Sequence, residues 1–485
     1  MAARGPVRRR RALVFSFVMT LTAGLVLAAG PVATRAGGKV DPSVLKAVQG
    51  GRAAAYWAIL EDQADLSRAS SITDWDARGA WVVDRLKEVA GSTQAGLKAL
   101  LSKRGESYHS FWIINAVRIT SGSATLSAVA ARPEVARVEP AWTAQVPQPL
   151  PGETETIEWN IAHINADEVW NTYGDRGEGV TVANIDTGVQ YNHSALRLQY
   201  RGLQSIGGPT IRPKHDYAWY DPSRVCSPDG KQVCDNNGHG THTMGTVVGD
   251  DGADNQIGVA PKATWITAKG CESSSCSDFA LMKSGEWMLA PTDLNDMNPR
   301  PFLRPHVVNN SWGTPVGTDE FYRATVNAWV ASGIFPVFAN GGGGPGCGTV
   351  DAPASYPESY GVGAHDINNA IASFSGRGPS PISPFPIKPD VAAPGVNVRS
   401  SVPSNGYASF SGTSMAAPHV AGAVALMWSS KGAPAFSRDI AGTRAALDHT
   451  AIDVSDLTCD GTPGDNNVWG EGRLDAFAAV TAARN

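Results

Sequence analysis

Residues 411–422 read Ser411-Gly412-Thr413-Ser414-Met415-Ala416-Ala417-Pro418-His419-Val420-Ala421-Gly422. A serine stands between a Gly-Thr turn and a run of small apolar residues. That pattern predicts a buried helix over Ser414–Lys431 with a hydroxyl at its N-terminus. Backbone N–H groups there can receive an oxyanion as well as present the serine. The stretch therefore reads as a nucleophile on a rigid mount, and it directs attention to residues upstream that could activate it.

Two such residues stand out. Asp186 follows the apolar run Val180-Thr181-Val182-Ala183-Asn184-Ile185 and precedes Thr187-Gly188-Val189. An acid directly after an apolar strand sits at a sheet edge, where it can hold a histidine; a turn or a helix cap is the plainer alternative. His239 lies in Asn237-Gly238-His239-Gly240-Thr241-His242-Thr243. Imidazole is a good general base near neutral pH, and flanking glycines allow backbone and substrate to approach closely. His242 is only three residues on, without the Glu and four-residue spacing of a His-Glu-x-x-His zinc site, so it is expected to be structural. A hydroxyl becomes a strong nucleophile when a base takes its proton and a carboxylate orients that base. Asp186, His239 and Ser414 supply those three groups in that order.

The surrounding pattern gives the fold class. Strands are expected at Gly179–Ile185, Thr264–Lys269, Val307–Ser311, Ile334–Ala339 and Ser359–Ala364. Helices are expected at His239–Val248, Asp278–Leu289, Phe321–Ser332 and Ile440–Asp448. The alternation predicts an α/β domain, a mostly parallel sheet with helices on both faces. In such a fold functional residues gather at the C-terminal ends of strands. Before it, strand Ala54–Leu60, helix Trp75–Leu101, strand Tyr108–Ile119, helix Ala124–Ala131 and strand Val135–Val138 predict a small α+β domain. Residues 146–152, with three prolines, read as an extended linker. The N-terminal arginines Arg4 and Arg8–Arg11, an uncharged stretch to Ala29 and small residues around it form a secretory signal over residues 1–29. An uncleaved anchor helix is the alternative reading.

With 42% apolar and 18% charged residues the chain can build a sizeable core. A net charge of −5 over 485 residues offers no argument for a nucleic-acid or anionic-membrane partner. Nothing points to an oligomer, so a monomer is expected. Six cysteines, all after residue 225, fit disulfides in an oxidising compartment. Cys226 and Cys234, and Cys271 and Cys276, are near enough to close small loops, leaving Cys347 and Cys459; other pairings stay open.

The blocks Asp186-Thr187-Gly188-Val189, His239-Gly240-Thr241-His242 and Gly412 to Gly422 together resemble the secreted subtilisin-like serine peptidases, in their Asp, His, Ser order. Gly258-Val259-Ala260-Pro261, Asn309-Asn310-Ser311-Trp312-Gly313 and Lys388 to Gly395 agree. The resemblance spans residues 153–485. It implies an endopeptidase acting on polypeptides, with Asp186 as orienting acid, His239 as base and Ser414 as nucleophile. Residues 37–145 resemble the family's inhibitory propeptide, which implies a self-processed zymogen whose own propeptide fills the cleft. Ser311, Trp312 and Gly313 occupy the block that, in relatives, pairs with the substrate and lines the pocket for the residue before the cut. No acidic cluster points to that pocket, so a preference for basic residues is not expected. No cofactor is required. Calcium as a structural ion is an expectation carried by Asp221, Asp229, Asp235, Asp250, Asp251 and Asp254.

One block departs from the family. Relatives place an oxyanion-binding asparagine where this chain, aligned from Val337 to Pro345, has Gly342; Asn340 comes two residues early. Asn340 is the expected donor if the glycine-rich loop is redrawn. Otherwise the resemblance implies a weakened enzyme or a silent, peptide-binding member. A serine esterase on another fold is disfavoured, because Ser414 lacks a Gly-x-Ser-x-Gly elbow.

Overall fold

The computed structural model describes residues 38–146, 157–205, 211–253, 255–430 and 438–484. The signal expected at 1–29 and all but Val146 of the linker expected at 146–152 lie outside the described residues.

Seven parallel strands form the central sheet, in the order Val391–Pro394, Tyr360–His365, Phe335–Ala339, Val307–Asn310, Thr181–Asp186, Thr264–Lys269, Trp219–Tyr220. Val307–Asn310, Phe335–Ala339 and Tyr360–His365 are buried at every residue, as a sheet covered on both faces requires. Chain order reverses beside Thr181–Asp186. Its successors in sequence lie on one side and Val307–Asn310 opens the other. At such a switch point the C-terminal ends of adjacent strands leave a crevice. Helices His239–Val248 and Thr413–Ser429 pack on each other over this region. The second is buried from Thr413 through Trp428, which explains its lack of any polar face.

The N-terminal module is a four-stranded antiparallel sheet, ordered Ser107–Phe111, Ala116–Ser121, Ala54–Leu60, Val135–Pro140. Alternation along Ala54–Leu60 divides its two faces. Tyr56, Ala58 and Leu60 join Leu97, Leu101, Leu126 and Val129 in the module's own core. Trp57 and Ile59 face the other way and join the large core of the α/β domain, Trp57 meeting Phe321 at 4.9 Å between rings.

Two elements differ from expectation here. The long helix breaks at Gln94 into Trp75–Thr93 and Ala95–Arg104, because the buried Gln94 amide reaches the Phe111 carbonyl and Asn115. The strand expected at Tyr108–Ile119 is a hairpin. Its turn carries Ile113 and Ile114, whose apolar side chains hide the turn from a sequence reading because they pack into the neighbouring domain's core. Asn115 closes it with φ 41°, a left-handed conformation asparagine tolerates.

Three disulfides join Cys226 to Cys234, Cys271 to Cys276 and Cys347 to Cys459. The last closes a separation of 112 residues and ties the glycine-rich loop to the C-terminal region. In chain-entropy terms a loop of that size is worth on the order of 4–5 kcal/mol.

Two buried histidines make the fold sensitive to acid. His242 shares an Nε2 proton between the carbonyls of Val398 and Ala408, and its Nδ1 has no partner. His419 donates from Nδ1 to Met415 and accepts from Asn160 at Nε2. A proton added at His242 Nδ1 would find no acceptor, and one added at His419 Nε2 would face the Asn160 amide N–H; burial pushes each pKa down to about 3. The unfolded chain takes up these protons near pH 6.5. Stability is therefore complete above about 6.5 and is lost as pH falls toward 3. In a Ser414→Ala variant, which removes self-digestion from the measurement, Tm should fall steadily from pH 7 to pH 4. A flat Tm across that range would contradict this account.

Candidate active site

Asp186 is the last residue of its strand and is fully buried. Its Oδ1 accepts from the Thr187 N–H at 2.7 Å and from His239 Nδ1 at 2.8 Å. Its Oδ2 accepts from the Thr243 hydroxyl at 3.2 Å. With Nδ1 donating to Asp186, the Nε2 of His239 carries the lone pair. That atom is buried and has no hydrogen-bond partner, as a base awaiting a proton would be.

His239 opens its helix, and Asp235 sets that helix's approach. The Asp235 carboxylate accepts the N–H groups of Asn237, Gly238 and Thr241 and the hydroxyls of Thr187 and Thr241. It thus ties the turn before His239 to the residue after Asp186. Gly238 has φ 101°, and a Cβ on Gly240 would run into the Gly188 carbonyl and lie 3.1 Å from Asp186 Oδ1. The glycines beside His239 are needed for helix and strand to close on each other. Sequence reading missed Lys269, buried at the end of the neighbouring strand, whose ammonium binds the Thr187 carbonyl and Asn236. Its only sequence signal is a cation closing an apolar strand.

Ser414 is the second residue of its helix, so its N–H belongs to the first-turn donors that lack intrahelical acceptors. Pro418 has no N–H to give to the Ser414 carbonyl. Ser311 takes that place, its hydroxyl donating to Ser414 O at 2.8 Å. In return the Ser414 hydroxyl donates to Ser311 O at 3.0 Å. The hydroxyl is thus held by Ser311 rather than bonded to His239 Nε2.

The three residues expected to meet substrate follow strand Val307–Asn310 into the crevice. Trp312 is 2% exposed and packs edge-on against Tyr322 and Phe338, so its ring belongs to the core. Gly313 presents its backbone. Its carbonyl accepts the Gln145 N–H at 3.3 Å, and Thr143–Gln145 pairs antiparallel with Ser275–Ser277 on its other side. The end of the N-terminal module therefore lies in the crevice as an added strand.

Asn340 is buried, and its amide donates to the Gly376 carbonyl at 2.7 Å. Neither Asn340 nor Gly342 bonds to Ser414. A Cβ at Gly342 would find nothing within 4 Å. Gly341 is tied by its N–H and carbonyl to the Thr413 hydroxyl.

Among the described residues no three His, Cys, Asp or Glu side chains converge as a metal site. The loop acids instead shape their own turns. Asp221 accepts from Ser223, Arg224 and Cys226, and Asp251 from Ala253 and Asn255. Asp254 lies outside the described residues.

Replacing Gly240 by alanine should push Asp186 and His239 apart. A displacement near 1 Å costs about 10²-fold in rate where geometry governs reaction. The readout is the rate at which a fluorophosphonate labels Ser414, with folding checked by circular dichroism. An unchanged rate in a folded variant would show that the close approach is dispensable.

Comparison with known proteins agrees with this geometry. Residues 177–472 match the model of the subtilase family. Bacillopeptidase F of Bacillus subtilis (strain 168) is 39% identical over 84% of this chain and 29% of its own length. Alkaline elastase YaB of Bacillus sp. (strain YaB) is 34% identical over 56% of this chain and 60% of its own. Subtilisin DY of Bacillus licheniformis is 33% identical over 67% of this chain and 99% of its own. The chain thus spans less than two thirds of the first two and nearly all of the third. The family match covers the strands of the central sheet together with Asp186, His239 and Ser414, and the chain belongs to the subtilase family.

Proposed function

We propose that this protein is a serine endopeptidase that cleaves polypeptides through Asp186, His239 and Ser414. The observation that carries this reading is the sealed Asp186–His239 bond with the unpartnered Nε2 behind it, at the sheet's switch point. The Ser414 hydroxyl leaves Ser311, passes its proton to Nε2 and attacks a peptide carbonyl. Asp186 holds the Nδ1 proton and stabilises the imidazolium. The oxyanion forms against the Ser414 N–H at the helix N-terminus. The imidazolium protonates the leaving amine, and water then releases the acyl group by the same base. The Asn340 amide gives one N–H to Gly376, and if its second N–H does not reach the oxyanion the site lacks one donor found in relatives. Such a loss costs about 10²–10³ in kcat, a magnitude borrowed from an enzyme of this family. These steps draw only on groups of the protein, the substrate and water.

We infer further that the protein is exported by its first 29 residues and made as a zymogen, with residues 37–145 as propeptide. Thr143–Gln145 already lies where a substrate strand would lie. The module grips the α/β domain through two buried acids. Asp278 accepts from Trp57 Nε1 at 2.6 Å and from the Trp142 N–H, and pairs with Arg118 at 3.2 Å. Glu286 accepts the Trp112 and Ile113 N–H groups at the hairpin turn. The linker at 146–152 follows this strand in the sequence, and we assign the cut to it.

Mass spectrometry of the secreted protein tests both inferences. The wild type should appear cut within 146–152 and label with fluorophosphonate, and Ser414→Ala should do neither. Cleavage persisting in Ser414→Ala would exclude self-processing. Asp278→Ala leaves Arg118 and Trp57 without their acceptor. Removing one partner of a buried pair costs about 3–5 kcal/mol, so the cut module should no longer co-elute with the enzyme on size exclusion.

A further inference from the structure

We infer that Asp351 sets the side-chain preference of the crevice, receiving a lysine or arginine at the substrate residue before the cut; this rests on the peptidase reading above.

Asp351 stands between two glycines of the site. A Cβ on Gly313 would lie 3.0 Å from Asp351 Cβ and 3.2 Å from Oδ2. A Cβ on Gly341 would lie 2.5 Å from Oδ2 and 2.8 Å from Oδ1. The carboxylate therefore rests directly against both backbones. Each backbone leads to Ser414. Gly341 binds Thr413, the residue before it. Gly313 is two residues from Ser311, whose carbonyl holds the serine hydroxyl. A polypeptide lying in the crevice crosses Gly313, as Gln145 does. The next residue, Ala352, is fixed to Thr314 by paired backbone bonds of 2.9 and 3.1 Å, so Asp351 is held in place beside Gly313.

The carboxylate itself is unsatisfied. It makes no hydrogen bond or ion pair with any described residue, and burial alone pushes its pKa up to about 7. The segments against it, residues 311–314 and 340–343, carry no titratable side chain. Nor is it fully sealed: Asp351 is half-buried. An acid kept in this condition costs stability and calls for a partner. An ammonium or guanidinium entering between the two glycines supplies it as a charge-assisted pair. A leucine or phenylalanine would desolvate the carboxylate further and return nothing.

Self-cleavage in the linker does not draw on this preference. Between Arg137 and Arg176 the chain has no lysine or arginine, so a cut there follows from tethering, and the new chain end binds the pocket weakly.

The test uses the mature secreted enzyme and peptides that differ only before the cut, with Arg, Lys, Leu or Phe. Arg and Lys peptides should show kcat/KM at least about 30-fold higher, the range expected for a buried charge pair. Asp351→Asn should lower them by a similar factor and so close the gap to the Leu and Phe peptides. Benzamidine, an amidinium probe, should inhibit the wild type competitively, which keeps the inference open to refutation if the variant fails to fold. Fluorophosphonate labelling separates the two claims. A labelled enzyme that prefers Leu or Phe, ignores benzamidine, or keeps its preference in Asp351→Asn overturns this inference alone. A correctly processed protein that neither labels nor cuts any peptide overturns the peptidase reading and this inference with it.

Discussion

The hydrogen bond from His239 to Asp186 depends on a close approach between a helix and the end of a strand, and much of the structure serves that approach. The strand must end in a buried acid, so Thr187 and Thr243 supply the donors that a carboxylate without water needs. The helix must start within reach of it, so Gly240 gives up a side chain and Asp235 gathers the preceding turn. The bond also fixes the tautomer. With its proton on Nδ1, the ring has one remaining function, to accept at Nε2.

A second constraint comes from the serine helix. It is buried almost throughout and carries a proline in its second turn. Pro418 frees the Ser414 carbonyl, and Ser311 takes it, so the serine is doubly tied to the segment over which a peptide would run. Thr413 makes a similar tie to Gly341 on the opposite wall. Ser414, the Ser311–Gly313 segment and the glycine loop are thus tied to one another. This is the arrangement a displacement reaction needs if it is to gain from positioning.

Burial explains which expectations needed correction. Trp312 sits in a block that meets substrate in relatives, but its ring lies among Tyr322 and Phe338, while the neighbouring glycine faces the crevice. The hairpin at Ile113 and Ile114 looked like continuous strand because a turn that packs on another domain is as apolar as the strands it joins. Asn340 was the obvious oxyanion donor by residue type. Its amide is bound to Gly376, a partner 36 residues away that no local pattern indicates. Asp351 was passed over for the opposite reason: one acid among many has no sequence context that marks it as unpaired.

The sequence by itself determined the class of fold and marked Asp186, His239 and Ser414 as candidates. These are written in local patterns: apolar runs that end in an acid, glycines around a histidine, a small-residue helix behind a serine. Only the tertiary structure decided what each polar group is bonded to. It paired the cysteines, bonded Asn340 to a backbone carbonyl, turned the Ser414 hydroxyl toward Ser311 and left the Asp351 carboxylate without a partner beside two glycines. The reason is physical. A residue's chemistry is a local property, but its hydrogen-bond partners and its burial are set by segments far away in the chain, brought together only when the sheet closes.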